Sequence, residues 1–241
     1  MSRPLKIAGF QQGHFDVSSL QKEMLGRLMI TDDGRKFRYA QAGASALHAG
    51  YMAIGNKSAS TVVKQAGLVV PTGTTQINFT ITSATFASNY FAGGYLQINS
   101  GTGQGLQYLI QASSAVTAGT SITIGLAESI QVALDATTYF TLVPSPWALT
   151  TESSTATNIP AGVSPIAVAA NYYYWAQTGG IANVLISGTP AIGSILTLGG
   201  VAGSLAIVST TIATEVVEPI VGVVVGTGTD TQFSAVKLLL D

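Results

Sequence analysis

The chain has 241 residues, of which only 9% are charged, against roughly a quarter in an average soluble domain. Ten basic and eleven acidic residues give a net charge of -1, and 47% of the residues are hydrophobic. This composition excludes disorder of the whole chain, because disordered chains combine low hydrophobicity with high net charge. The sequence contains no cysteine, which excludes disulfides and zinc–thiolate sites.

The cations are concentrated at the start of the sequence. Nine of the ten lie within the first 64 residues, and none lies between Gln65 and Val236. A body without cations has no surface for a run of phosphates, so we expect no direct contact with nucleic acid. We also expect no membrane partner, because no apolar run approaches the roughly 18 residues of a membrane helix. No apolar segment of a signal peptide follows residues 1–4.

Residues 1–30 are predicted to form an extended N-terminal arm. Residues 1–15 have little apolar periodicity, and such a segment is ordered only when it docks on something. Residues 17–30 carry a helical stripe that includes Leu20, Met24 and Leu28. A short helix or turn followed by a strand at residues 28–31 is the favoured interpretation, and a longer helix is the alternative.

Residues 31–64 are predicted to form a basic β-hairpin segment. The turn at residues 32–34 has the sequence Asp-Asp-Gly, which favours a hairpin between two strands. The outgoing strand, residues 35–40, alternates basic and aromatic side chains and so places Lys36 and Arg38 on one face. Two interpretations stay open: an edge strand protected by charge, or an electrostatic contact with an acidic partner.

Residues 65–145 are predicted to form a first β unit. Strands with alternating apolar residues are expected at residues 76–82, 95–99, 108–111, 121–126 and 139–143, separated by glycine-rich turns. The outward positions carry Thr, Ser, Gln and Asn in place of charges. That choice suits surfaces that neighbours will cover, because burying an amide or a hydroxyl costs less than burying a charge.

A linker at residues 146–162 and a second β unit at residues 163–241 complete the predicted organisation. Strands of the second unit are expected at residues 181–187, 195–198, 205–209, 220–225 and 235–240. The sequence therefore predicts an all-β protein of two sandwich-like or barrel-like units with little helix.

The sequence offers little chemistry. His14 and His48 lack the spacing of a metal site, and the carboxylates are too few and too scattered for a glycosidase pair. We therefore predict no catalytic residue, no cofactor and no metal, and we expect that the protein is not an enzyme. The aromatic run at residues 172–175 is either a platform for carbohydrate or a strand of the core or of a subunit interface.

Three pairs of short motifs resemble those of virion structural proteins of tailed bacteriophages. They lie at residues 34–43 with 46–50, at 93–98 with 101–108, and at 174–182 with 219–222, and together they span most of residues 30–225. The resemblance includes the capsid cement, or decoration, proteins of marine and cyanobacterial phages.

The resemblance implies a protein that is made in the host cytoplasm and stabilises the outer surface of a capsid in the virion. Its partners would be the major capsid protein and further copies of itself, as a trimer in preference to a dimer. The residues expected to contact the capsid are Arg3, Lys6, Arg27, Arg35, Lys36 and Arg38. The residues expected at a subunit interface are Tyr172, Tyr173, Tyr174 and Trp175. The alternative is another virion component, such as a tail, neck or receptor-binding spike protein.

Overall fold

A computed structural model describes residues 9–55, 65–82, 84–154, 159–208 and 218–241, and all the regular secondary structure in these ranges is β. The strands in chain order are β1 (Leu28–Ile30), β2 (Lys36–Gln41), β3 (Met52–Ile54), β4 (Gln65–Ala66), β5 (Gln76–Ile81), β6 (Tyr95–Ser100), β7 (Gln107–Ser113), β8 (Thr120–Leu126), β9 (Tyr139–Val143), β10 (Pro160–Val163), β11 (Tyr173–Leu185), β12 (Ile195–Leu198), β13 (Leu205–Ile207), β14 (Gly222–Val224) and β15 (Phe233–Leu239). The predicted all-β class is confirmed. Over the same ranges, the structure has no helix long and apolar enough to cross a membrane.

The strands belong to two compact units. The inserted unit is Ser58–Ser145, and the discontinuous unit combines Met1–Lys57 with Pro146–Asp241. The predicted boundary at residue 145 falls where the inserted unit ends. In contrast, the predicted arm, linker and second β unit are parts of the discontinuous unit, and the predicted basic hairpin segment, residues 31–64, is divided at residue 57 between the two units.

The inserted unit is a six-stranded antiparallel sheet in the order β4-β9-β6-β7-β8-β5. Its five longer strands are the five that the alternating sequence predicts. The inward residues of each strand build one core, which includes Ile77, Leu96, Ile110, Ile124 and Phe140. Alternation works well here because one face of this sheet is buried and the other carries hydroxyls and amides.

The discontinuous unit contains a nine-stranded sheet. Its main order is β1-β2-β11-β15-β14-β12-β13, and β10 pairs with both β11 and β3. The 13-residue strand β11 organises this sheet, because it pairs with β2 through Tyr173–Gly179 and with β15 through Gly179–Leu185. The five strands predicted between residues 181 and 240 are all present.

The predicted hairpin of β1 and β2 is confirmed. The Thr31 amide donates to the Arg35 carbonyl at 2.9 Å, and Gly34 takes the positive φ of 81° that the turn requires. β2 lies between β1 and β11. The interpretation of β2 as an edge strand protected by charge is therefore wrong.

Residues 17–30 form no helix. Ser18 instead makes an isolated bridge to Tyr173, and the strand predicted near residue 28 is β1. The helical stripe fails because Leu20 and Met24 remain exposed, so these residues have no common apolar surface to cover.

The described part of the predicted linker is packed into the discontinuous unit. The Thr150 amide donates to the Gln41 carbonyl at 2.8 Å, and the Thr150 hydroxyl lies 3.0 Å from the buried Tyr174 hydroxyl. β10 occupies the last part of the predicted linker and pairs with β3. A Ser- and Thr-rich sequence predicts a loop, but here the Thr150 hydroxyl is hydrogen-bonded to Tyr174 inside the fold.

Candidate functional site

The predicted capsid-contact strand and the predicted aromatic interface strand are neighbours. β2 and β11 are antiparallel, with Tyr39 opposite Trp175 and Arg38 opposite Ala176. Along β2, Phe37 and Tyr39 are buried while Lys36 and Arg38 are half-buried, as the alternating sequence predicts.

Tyr174 and Trp175 have no exposed surface. The Trp175 Nε1 donates to the Gln12 carbonyl at 3.0 Å, and the indole meets the Phe10 ring edge-on at 5.2 Å between centroids. Burial raises the pKa of the Tyr174 hydroxyl. The prediction of a subunit interface is wrong for these two residues, because their side chains already lie in the core of their own chain.

Tyr172 and Tyr173 differ from their neighbours. The Tyr173 ring stacks on Tyr39 with centroids 5.9 Å apart and is partly covered, while Tyr172 is exposed. Burial raises the pKa of the Tyr173 hydroxyl. The role of these two tyrosines at a subunit interface stays a prediction.

Gln12 fixes residues 9–18 against β11. Its Nε2 donates to the Tyr173 carbonyl at 3.1 Å and to the Asp16 carbonyl at 2.7 Å, and its Oε1 accepts from the Tyr39 hydroxyl at 2.8 Å. This part of the N-terminal segment therefore docks on its own body and covers Trp175. The sequence gives no signal for Gln12, because a glutamine in an aperiodic segment is typical of an exposed loop.

Arg27 is paired within the chain. Its guanidinium forms an ion pair with Glu23 and lies 4.7 Å from the centre of the Phe10 ring. Glu23 is buried and also accepts from the Gln11 amide at 2.8 Å. The pair thus satisfies a carboxylate that would be costly to bury alone.

Arg35 has a partner in the hairpin turn. Its Nε donates to Asp33 Oδ2 at 2.7 Å, and the guanidinium lies 5.6 Å from the centre of the Phe37 ring. A hydrogen bond from the Thr31 hydroxyl, helped by Arg35, lowers the pKa of Asp33. The charge of Arg35 is therefore offset within its own turn.

Arg38 makes a two-pronged ion pair with Asp241. Its Nε and Nη2 donate to Oδ2 and Oδ1 of that carboxylate at 2.9 and 2.7 Å, and its Nη1 donates to the Gly26 carbonyl at 3.0 Å. The hydrogen bonds from Arg38 lower the pKa of Asp241. The guanidinium also lies 5.2 Å from the Trp147 ring centre.

Three arginines of the predicted capsid-contact set, Arg27, Arg35 and Arg38, are therefore neutralised by carboxylates of the same chain. Arg3 and Lys6 lie outside the described residues, and Lys36 is half-buried on β2. The contact of these six residues with a capsid stays a prediction, but the free positive surface that would steer it is smaller than the sequence suggests.

The histidines do not form a metal centre. His48 pairs with Glu152 at 3.0 Å, and His14 packs between the rings of Phe15 and Phe37. Burial lowers the pKa of His14, and nearby Arg35 adds to the effect. Across the described ranges, no three His, Asp or Glu side chains are grouped so that they could hold a metal ion.

An exposed apolar row crosses four strands of the discontinuous unit. Ile181 on β11 is opposite Lys237 on β15, Lys237 is opposite Val223 on β14, and Val223 is opposite Ile195 on β12. Ile181 and Ile195 are 57% and 48% exposed, and Leu239 beside this row is also exposed. We call these four apolar residues and Lys237 the outer row.

A cavity of about 430 Å³ opens near the end of the outer row that includes Ile181. Gln177 and Asn183 of β11 and Phe233 of β15 are among the residues that line it. No sequence pattern predicts a binding role for these three residues, because their spacing along the chain matches no known site.

Comparisons of the chain with protein families, with curated proteins and with solved structures find no match. The surfaces of the chain itself therefore indicate what it can bind. Those surfaces combine paired cations, exposed aliphatic residues and uncharged polar strands.

Proposed function

We propose that the chain is a structural virion protein that binds the outer surface of a bacteriophage capsid and stabilises it. The alternative class, an enzyme, would need a cleft in which catalytic side chains converge. The cavity near β11 is lined by Arg35, Gln177 and Asn183 as its polar groups, and none of them is a carboxylate, a nucleophile or a histidine.

The outer row is the observation that carries the proposal. Exposed apolar residues grouped on one face mark protein–protein interfaces in soluble proteins, and here they flank the cation Lys237. The row lies on a regular sheet, which presents a rigid and repeatable surface to a partner. Ile195 and Leu239 are the residues that we expect to be covered by a capsid subunit or by another copy of the chain.

Paired cations support a contact that depends little on long-range electrostatics. Arg27, Arg35 and Arg38 each have a carboxylate partner within 4 Å. Binding through apolar and uncharged polar groups weakens little when salt screens charge. We therefore expect the affinity for capsids to change little between low and physiological salt, with Lys237 as the cation that lies inside the contact.

Self-association strengthens such a contact. The resemblance favours a trimer, and three equivalent contacts on a symmetric shell add their free energies through high effective concentration. A sheet face that stays exposed in the monomer is also suited to the apolar core of an obligate interface.

Binding to capsids tests the proposal. Virions of the source phage that lack this chain are mixed with the purified protein and sedimented, and the bound fraction is measured. We expect saturable binding to the heads and a higher temperature of DNA release. Ile195→Lys should abolish binding, whereas Val69→Lys, at an exposed position of the inserted unit, should not.

Binding of the wild-type protein to tails and not to heads would favour the alternative, a tail, neck or receptor-binding spike protein. Equal binding of Ile195→Lys and wild type to heads would contradict the role of the outer row.

A further inference from the structure

The cavity near β11 is built around an irregularity in the sheet. Gln177 pairs with Phe37 of β2, but the next pairing joins Gly179 to Lys36, so Thr178 is an extra residue on β11. Such a bulge leaves backbone groups without ladder partners and is often found beside a binding site.

Gln177 is held in one orientation by the bulge. Its side chain is 96% buried by the rest of the chain, since the residue is only 4% exposed. Its Nε2 donates to the Gly179 carbonyl at 3.1 Å and to the Ile181 carbonyl at 2.9 Å. Both amide protons are therefore committed, and the amide cannot exchange its oxygen and nitrogen without losing both bonds.

The Oε1 atom of Gln177 is left as an acceptor. It receives no hydrogen bond from any residue in the described ranges. In the described ranges, two fully buried side-chain atoms lack a hydrogen-bond partner, Ser164 Oγ and Thr197 Oγ1. Gln177 Oε1 is not one of them. The Gln177 oxygen is therefore in contact with solvent. Because Gln177 lines the cavity, we take this solvent to be that of the cavity.

Asn183 adds a second amide to the cavity wall. It is exposed, and its side chain makes no hydrogen bond to the part of the chain that the structure describes. The Gln177 amide thus accepts a hydrogen bond in a fixed direction, and the Asn183 amide can both donate and accept. Hydroxyl groups match this pair, because each hydroxyl can donate and accept.

Two phenylalanine rings flank the cavity. Phe15 and Phe233 are 52% and 43% exposed. Phe233 packs on Gly50, where a Cβ would lie 2.6 Å from the ring. The ring can occupy this position because residue 50 is a glycine. Phe15 lies in a turn closed by the Asp16 amide, which donates to the Gly13 carbonyl at 3.0 Å. Exposed rings on anchored backbone offer flat apolar faces at fixed positions.

Charge and backbone pairing narrow the class of ligand. Arg35 is the charged residue of the wall, and its ion pair with Asp33 leaves little net charge to attract an anion. An added peptide strand is also disfavoured, because Gln177 already pairs with Phe37 of β2 and Val163 of β10.

We propose that this cavity binds the ring of a neutral sugar. The apolar face of the ring would lie against Phe233 or Phe15, and its hydroxyls would bond to Gln177 Oε1 and the Asn183 amide. The volume of about 430 Å³ lies within the range of roughly 300–1,000 Å³ found for small-ligand sites. This proposal rests on the cavity and not on the outer row, although Ile181 belongs to both, and the sugar would be part of a host-surface glycan.

Saturation-transfer NMR with five probes tests the proposal. The probes are the methyl glycosides of glucose, galactose, mannose, N-acetylglucosamine and glucuronic acid, each at millimolar concentration with the full chain. We expect transfer to the ring protons of at least one neutral glycoside. Phe233→Ala and Asn183→Ala should each weaken its binding about tenfold, equivalent to about 1.4 kcal/mol.

The control is Ile195→Ala, an exposed apolar residue of the outer row that lies outside the cavity. Asn183→Ala alters an exposed side chain with no partners in the described residues, so it keeps the test valid if Phe233→Ala destabilises the fold. Transfer to none of the neutral glycosides, transfer to the glucuronide alone, or binding that both cavity variants leave unchanged would each overturn the proposal.

Discussion

Replacement of Trp175 by phenylalanine separates a core role from an interface role for the aromatic run of β11. The indole is fully buried, and its Nε1 donates to the carbonyl of Gln12, a residue that is itself 95% buried. Phenylalanine keeps an aromatic ring next to Phe10 and Tyr39 but removes the donor. The carbonyl of the buried Gln12 then loses its hydrogen-bond donor.

The magnitude follows from two terms. Loss of one partner of a buried hydrogen bond costs about 1–3 kcal/mol. The smaller ring adds roughly 1 kcal/mol, because the cavity that it leaves is only partly closed by relaxation. We therefore expect Trp175→Phe to lower the free energy of unfolding of the discontinuous unit by about 2–4 kcal/mol.

Urea unfolding followed by far-ultraviolet circular dichroism measures this change through the midpoint and slope of the transition. Tyr172→Phe is the matched control, because Tyr172 lies three residues away and is exposed, and it should stay within about 0.5 kcal/mol of wild type. An unchanged stability for Trp175→Phe together with weaker self-association would refute the core assignment.

Three further predictions concern local features of the fold. The pKa of Asp241 is lowered by Arg38, so this ion pair stabilises the folded state above the unfolded pKa of about 3.9, and its contribution is lost as pH falls through the folded value. A double-mutant cycle of Arg38→Gln and Asp241→Asn should accordingly give a coupling of about 0.5–1 kcal/mol at pH 7 that falls as the pH is lowered through the folded pKa of Asp241, and a coupling that does not change with pH would contradict the assignment. Gly94→Ala should destabilise the inserted unit by about 2 kcal/mol or more, because the new Cβ would approach the Val143 carbonyl oxygen too closely. Gly125→Ala is the control: its Cβ would make only ordinary contacts, so it should lower the free energy of unfolding little in the same urea assay. Similar losses of stability for both variants would contradict this prediction. Ile195→Lys should reduce the sedimentation coefficient of an oligomer to that of a monomer, and an oligomer that survives this change would show that the outer row is not its interface.

Much of the fold follows from local sequence. In the inserted unit, alternating residues around Ile77 and Ile122 mark each strand, because one face of the sheet is buried and the other is polar. The Asp-Asp-Gly turn likewise determines the hairpin of β1 and β2. These features depend on residues that are close in sequence, and the sequence therefore contains enough to predict them.

The assembly of the discontinuous unit could not be predicted in the same way. Its sheet joins β2 to β11, which lie more than a hundred residues apart, and a single sequence carries no signal for such pairing. The ion pair of Arg38 with Asp241 and the docking of Gln12 on Tyr173 depend on that pairing. Sequence alone consequently leaves open whether the arginines contact a partner, and whether Trp175 lies in the core, at a subunit interface or on a carbohydrate platform.

The same limit applies to the candidate sites. The outer row consists of residues on β11, β15, β14 and β12 that meet only through strand register. The cavity depends on a bulge after Gln177 and on a glycine at position 50, and neither position carries a sequence signal for a binding site. Only the pairing of the strands brings the residues of each site together.

The most direct test of the proposed function is whether this chain lies on the head of a bacteriophage particle. Cryo-electron microscopy of intact virions should place density for the two β units on the outer surface of the head, in copies that follow the capsid lattice. The outer row should be covered by a capsid subunit or by another copy of the chain. Heads without this density, with the chain present only at the tail or absent from the particle, would contradict a capsid-stabilising role.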